Sequence, residues 1–334
     1  MSTETLLLAG DIGGTKTDMA VYSVARGPHQ PLIKTTVKSA DYPNLQSAAG
    51  EFLAEAGLSV AAAAFGVAGP VVDGQVVGTN LPWTLDEAEL RPALRCERVT
   101  LLNDLQAIAN SVPYLRPEDL LTLCAGDPAP NGVLGVIAPG TGLGEAFLIH
   151  DGVRYRACPS EGGHSSFSPT TEREARLQAF LRERHGHVSV ERVCSGRWMI
   201  NLFEYLRLDE GLPVPAALEA QLAQAEDPTP VLVAAALDQE HPCPVARAVL
   251  DLFVRILGGA AGNLALTVMA TGGIYIGGGI PPRVLPAITS GALLEAFRYK
   301  GRLSYILEQI PVHVILQAQA GLLGAAAYGL EALH

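Results

Sequence analysis

Short apolar runs separated by polar turns fill the first hundred residues. Leu6–Gly10 and Thr17–Ser23 are two such runs, joined by Asp11-Ile12-Gly13-Gly14-Thr15-Lys16, and they predict a strand, a glycine turn and a second strand. A third strand is expected near Leu32–Lys38. Over Asn44–Ala56 the period changes: Leu45, Ala48, Ala49, Phe52 and Leu53 recur at helical spacing, and Gly57 supplies the stop. Ala61–Val67 is an unbroken run of small apolar residues, the composition of a strand covered on both faces. Val99–Leu102 is another, and it delivers Asn103 and Asp104 at its carboxyl end. Strands alternating with helices predict an open α/β sheet, in which ligands bind at the carboxyl ends of the strands.

The plan then recurs. Val112–Pro117 reads as a linker. Gly132–Ala138 and Ala146–Ile149 predict a second hairpin around Pro139-Gly140-Thr141-Gly142-Leu143-Gly144. Helices are expected at Glu172–Arg184, at Cys194–Leu206 with Ser195 as N-cap, and at Leu212–Asp227. Pro244–Val268 predicts a helix of about seven turns, interrupted near Gly258-Gly259 and Gly262. Gly273–Ile276 is a strand ahead of a third glycine cluster, Gly277-Gly278-Gly279. Val312–Leu316 follows as a late strand and Ala318–Leu333 as a terminal helix, whose small residues permit close packing. Residues 256–282 carry no charge, which raises the question of a membrane span. Glycine pairs and triplets break the stretch, so a buried helix followed by a buried strand is expected.

The 334 residues suffice for two domains, at roughly 150 residues each. A net charge of −11 opposes binding to nucleic acid or to anionic membranes. The five cysteines are odd in number and form no CxxC pair, which argues for free thiols in a reducing compartment. No basic segment precedes the first apolar run, so no signal peptide is expected and the cytoplasm is the expected location.

Three glycine turns, each after a strand, are the main chemical signal. Backbone N–H groups in such a turn form a concave donor array for phosphate, and glycine removes the Cβ that would block approach. Thr15 and Thr141 add hydroxyls, and Lys16 can place an ammonium on phosphate charge. Any one turn alone reads first as an ordinary hairpin; three together, the first begun by Asp11, point to a nucleotide. The GxxxxGK[ST] and strand–GxGxxG–helix patterns are absent. Asp104 suits a general base for a hydroxyl, and it suits an N-cap of a helix at Leu105–Ser111; the residues alone leave both open. Glu161 and His164 lie three apart across Gly162-Gly163 and converge only through a tight turn, while Glu191 taken alone is a loop acid. Trp83, after Asn80-Leu81-Pro82, suits a site border or a core position.

Asp11–Lys16 resembles the first phosphate loop of the sugar kinase, actin and Hsp70 superfamily. Gly140–Gly144 resembles the second, and Tyr275–Ile280 the adenosine-site strand and turn. Within that superfamily the chain is similar to the bacterial glucokinase family from Leu6 to about Leu330. The matching motifs are Leu102-Asn103-Asp104, Ser160-Glu161-Gly162-Gly163-His164, Glu191-Arg192-Val193 with Ser195-Gly196, and Gly262–Leu266.

The resemblance implies two actin-like (ribonuclease H-like) α/β domains flanking a cleft, residues 1–113 with 311–334 and residues 114–310. It implies an ATP-dependent glucokinase that phosphorylates the 6-hydroxyl of D-glucose, the first step of glycolysis, as a cytoplasmic homodimer. Asp104 would be the base, and Asn103, Glu161, His164 and Glu191 would bind glucose. Asp11, Ile12, Gly13, Gly14, Thr15, Lys16, Gly140, Thr141, Gly142, Gly278 and Gly279 would hold ATP, with Asp11 on Mg²⁺ through water. The related ROK kinases carry a cysteine-rich zinc motif after the EGGH segment. Ser165–Thr171 holds no cysteine, so no zinc is expected. The alternatives are a broader hexose kinase acting on mannose or glucosamine, a sugar-responsive regulator, and an actin-like ATPase. The regulator needs a DNA-binding motif ahead of Leu6, where only five residues stand. The ATPase has no use for Glu161, His164 and Glu191.

Overall fold

The structure, a computed structural model, describes residues 4–76, 81 and 83–333. Asn80 and Pro82, beside Trp83, lie outside the described residues. The chain divides into two compact units, Met1–Asp119 with Asp151–Pro159 and Gln317–His334, and Leu120–His150 with Ser160–Leu316.

In the first unit, β1 (Leu6–Ile12) and β2 (Lys16–Ser23) form the antiparallel hairpin. β3 (Ile33–Lys38) pairs with β2. On the far side β4 (Ala62–Val67) runs parallel to β1, and β5 (Arg98–Asn103) runs parallel to β4, giving the order β3-β2-β1-β4-β5. Side chains alternate between two cores, as the period-two pleat requires. Leu8, Ile12, Met19 and Val21 join Leu45 and Ala49 of α1 (Leu45–Ala56). Leu7, Ala9 and Ala20 join Leu322, Ala325 and Ala326 of the terminal helix, Ala320–Glu331. The five apolar residues expected on the inner face of α1 are the five that are buried. Asn44 caps its start and Gly57 ends it in the left-handed conformation. Trp83 is buried in this core, and its ring N–H donates to the Tyr42 carbonyl at 3.0 Å. α2 (Asp104–Ser111) begins directly at the end of β5.

In the second unit β6 (Leu120–Cys124), β7 (Leu134–Pro139) and β8 (Leu143–His150) come first in the chain. β7 and β8 make the second glycine hairpin. β9 (Gly273–Ile276) lies parallel to β7, β10 (Val312–Ile315) lies parallel to β9, and β6 pairs antiparallel with β10. The helices that build its core include α3 (Glu172–His185), α4 (Met199–Leu208), α5 (Pro228–Leu237), α6 (Pro244–Val268) and α7 (Ala292–Arg298).

Three helix expectations change. The helix expected from Cys194 starts at Met199, because the residues before it are tied to the second glycine loop; the Ser195 hydroxyl donates to the Glu191 carbonyl and caps nothing. The Leu212–Asp227 segment is helical only at Ala216–Gln224, and α5 is a separate helix, capped by Asp227 with Pro228 in its first turn. α6 runs unbroken for 25 residues. Its glycines serve packing: a Cβ at Gly258 would overlap the Leu293 carbonyl, and one at Gly262 would reach the Phe297 carbonyl oxygen at 2.5 Å. Among the described residues α6 is the one helix long and apolar enough to cross a membrane, and 72% of its apolar window is buried inside the fold.

Candidate active site

The first loop is short because the β1–β2 pairing continues to Ile12 opposite Thr17, and the Gly13 N–H donates to the Lys16 carbonyl at 3.0 Å. It is braced from behind. The buried Ser39 hydroxyl donates to the Gly13 carbonyl at 2.8 Å, and the Ser39 N–H donates to the Thr15 carbonyl at 3.1 Å. The Lys16 ammonium pairs with Asp18 at 2.9 Å. Asp11 is half-buried on β1, and its carboxylate faces Gly321 of the terminal helix so closely that a Cβ there would stand 2.5 Å from an oxygen. Burial, then the charges of Asp104 and Asp18, push the Asp11 carboxyl up to about 6, while Lys16 opposes them.

The N-cap of α2 is Asn103, so the cap role considered for Asp104 is corrected. The Asn103 side-chain oxygen accepts the Leu105 N–H at 3.0 Å, and its amide donates to the Gly69 carbonyl at 2.9 Å. Asp104 is the first helical residue, half-buried, and it accepts the same N–H at 2.8 Å.

In the second unit the glycine loop is joined to the segment at 191–197. The Glu191 carboxylate accepts the Leu143 N–H at 3.0 Å. The Gly196 N–H donates to the Gly140 carbonyl at 2.8 Å, and the Arg197 N–H donates to the Thr141 carbonyl at 3.0 Å. A Cβ at Gly142 would lie 2.6 Å from a Glu191 oxygen, and one at Gly163 would overlap the Leu143 carbonyl. These glycines are thus required by close approach of backbone to neighbour. Glu161 and His164 come together across the Gly162-Gly163 turn at 3.8 Å, both exposed. Gly278 has φ +87° and rests on the Pro139 carbonyl, so the third glycine cluster abuts the start of the second loop.

A cavity of about 640 Å³ opens beside that loop, lined by Gly140, Thr141, Arg197, Thr229, Gly279 and Arg283 among others. Its volume suits a small organic ligand. The buried Thr229 hydroxyl donates to the Gly196 carbonyl at 2.6 Å, which fixes the start of α5 on the cavity wall. The glucokinase family profile matches residues 8–332. The chain belongs to the glucokinase family.

A glucokinase of Nostoc sp. is 39% identical over 337 residues, covering 96% of this chain and 98% of that one. The crystal structure of a glucokinase from an Antarctic psychrotroph superposes with a TM-score of 0.82 at 33% identity, covering 98% of this chain and 99% of that one. A ROK-family glucokinase of Streptomyces griseus, crystallised with glucose and AMPPNP, shares the fold at a TM-score of 0.62 and 22% identity, with 98% and 99% covered. This member is therefore an enzyme of the hexokinase-type sugar kinase class, on the actin-like α/β fold. Ser39, Thr229 and Glu145 of this glucokinase-family chain escape sequence reasoning. Ser39 is a lone serine in a polar stretch. For Thr229 the Asp227-Pro228 pair was a usable signal of a helix start. Glu145 is a charged residue on a strand, and nothing in its neighbours in the chain says that it points inward.

Proposed function

We propose that the chain transfers the γ-phosphoryl group of ATP to the 6-hydroxyl of D-glucose, giving glucose 6-phosphate and ADP. The observation that supports this best is the Glu191–Leu143 bond with the Gly196 and Arg197 bonds beside it. The segment assigned to sugar hydroxyls and the loop assigned to phosphate are one hydrogen-bonded piece, so a sugar on one would be held in register with a phosphate on the other.

Asp104 takes the proton from the 6-hydroxyl as its oxygen bonds to the γ-phosphorus and the bond to the β-phosphate oxygen breaks. Glu161, His164 and Glu191, with Asn103, hold the other hydroxyls, and their charge makes a missing hydroxyl costly. The first loop, Asp11 to Lys16, and the second, Gly140 to Gly142, cradle the phosphates. Gly279 borders the 640 Å³ cavity, where the nucleoside fits, and Gly278 precedes it in the same turn. A hard divalent cation fits the donors at Asp11, a carboxyl whose pKa is raised partly by Asp104 and Asp18 and which a cation would relieve. Asp11 would hold Mg²⁺ there through water, and the ion would supply positive charge for the transferring phosphate. No zinc role is proposed. The cytoplasmic location, the homodimer and the place at the first step of glycolysis belong to the same proposal and rest on the family.

The test is a steady-state panel of sugars against phosphoryl donors. Glucose-dependent release of ADP is expected. Equal kcat/KM for mannose or glucosamine makes the enzyme a broader hexose kinase, and ADP release independent of sugar overturns the reading.

A further inference from the structure

Glu145 is the third residue of β8, paired across the hairpin with Ile137, and its residue is only 8% exposed. Burial pushes its carboxyl up to about 7, and among the described residues no cation offsets that. Its carboxylate lies directly under Gly162: a Cβ on that glycine would overlap a Glu145 oxygen and stand 2.8 Å from the carboxyl carbon. The Ser160 hydroxyl, which accepts the Gly162 N–H at 3.0 Å, borders the same spot. The buried Cys194 thiol also lies near Glu145, and burial, then the Glu145 charge, push it up. On the turn itself, Glu161 and His164 flank the two glycines and are exposed.

We propose that Glu145 is a positioning residue for the sugar site: its carboxyl, packed beneath Gly162, sets the turn that presents Glu161 and His164. This rests on the reading of Glu161 and His164 as sugar ligands. The contact suits a neutral carboxyl. A buried carboxylate with no cation must draw in water or move away from its apolar surroundings, and the Gly162 backbone is what it moves against. Glucose binding therefore weakens as pH rises through about 7, while the phosphate loops keep their own hydrogen bonds. Histidine is the other side-chain type that changes charge in this range, and Glu145→Gln leaves His164 in place, so any difference between the two pH profiles belongs to Glu145.

The experiment measures glucose Kd by titration calorimetry, with kcat and ATP KM, from pH 6 to pH 9. The intact protein should lose about fivefold or more in glucose affinity across that range, with kcat and ATP KM changing less than about twofold. That factor is roughly what one electrostatic or hydrogen-bond contact of 1 kcal/mol produces. Glu145→Gln should lose most of that dependence on pH. A slope undiminished in Glu145→Gln overturns the proposal. A paired variant tests the contact itself. Gly162→Ala should lower the thermal midpoint, and adding Glu145→Ala should recover part of that loss by vacating the space while glucose affinity stays low; no recovery of the midpoint overturns the contact. Glu161→Ala at pH 6 separates the two readings. An unchanged glucose Kd there withdraws the sugar-ligand reading and this role with it, whereas a raised Kd combined with an unaltered slope in Glu145→Gln removes Glu145 alone.

Discussion

The carboxylate of Glu191 accepts the backbone N–H of Leu143, so a residue assigned to glucose also closes the loop assigned to phosphate. Glu191→Ala removes the acceptor of a loop amide and, on the proposed reading, a hydroxyl partner. We expect glucose kcat/KM to fall at least tenfold, equivalent to about 1.4 kcal/mol, and ATP KM to rise as well. Crossed with a set of deoxyglucoses, the variant should cost much less with the sugar lacking the hydroxyl that Glu191 holds. Additivity with every deoxy sugar would leave Glu191 as a brace of the loop alone.

Asp104 stands at the first position of its helix and Asn103 does the capping. Asp104→Asn should therefore keep the helix and the thermal midpoint nearly intact. Its kcat should fall by about 10²–10⁴, the usual contribution of a general base, with glucose Kd almost unchanged. Retention of more than about a tenth of kcat would take Asp104 out of the chemistry.

Ser39 touches the first loop from behind through two hydrogen bonds, one from its side chain. Ser39→Ala leaves the Gly13 carbonyl without that donor, a loss of about 1–3 kcal/mol where the group is buried. ATP KM should rise several-fold and glucose Kd should stay level. Equal weakening of both ligands would mark a general defect.

Adjacent glycines of α6 should answer oppositely to alanine. Nothing lies within 4 Å of a Cβ at Gly259, so Gly259→Ala should stabilise the helix, by about 0.5–1 kcal/mol. At Gly258 the Leu293 carbonyl occupies the space, and Gly258→Ala should lower the thermal midpoint despite the better helix former. The comparison by thermal unfolding fails if the two variants move together.

Glu145 also ties stability to pH. Its carboxyl rises from an ordinary 4.5 to about 7 on folding, so the folded chain holds the proton that the unfolded chain gives up first. Stability from this group is complete below about pH 4.5 and is lost as pH rises to about 7, to a limit of roughly 3 kcal/mol. Glu145→Gln should therefore be the more stable protein at pH 8, with its advantage shrinking towards pH 5. Denaturant midpoints of the two at several pH values provide the check.

Much of this was legible in the residues. The two glycine hairpins, the buried face of α1 and the ends of α6 follow from periods of two and 3.6 and from Gly57 and Pro244, which are local signals. The interruption expected in α6 was wrong because Gly258 and Gly262 answer to α7, a neighbour that sequence reasoning had not placed. Ser195 was misread for the same reason: a serine before an apolar run looks like a cap, but here it bonds the Glu191 carbonyl. The motif residues could be named from the chain, whereas the bond between Glu191 and Leu143 joins positions 48 apart and has no local trace.

The apolar cores have a thermodynamic consequence. One large cluster runs from Ile137 to Val314 within the second unit, and the two that flank the first sheet draw only on residues of the first unit. Each unit thus owns the buried surface that makes its melting cooperative. Scanning calorimetry should resolve more than one endotherm, or a van't Hoff enthalpy below the calorimetric one. A heat-damaged molecule would then lose one of the two glycine loops while the other stays folded on its own sheet.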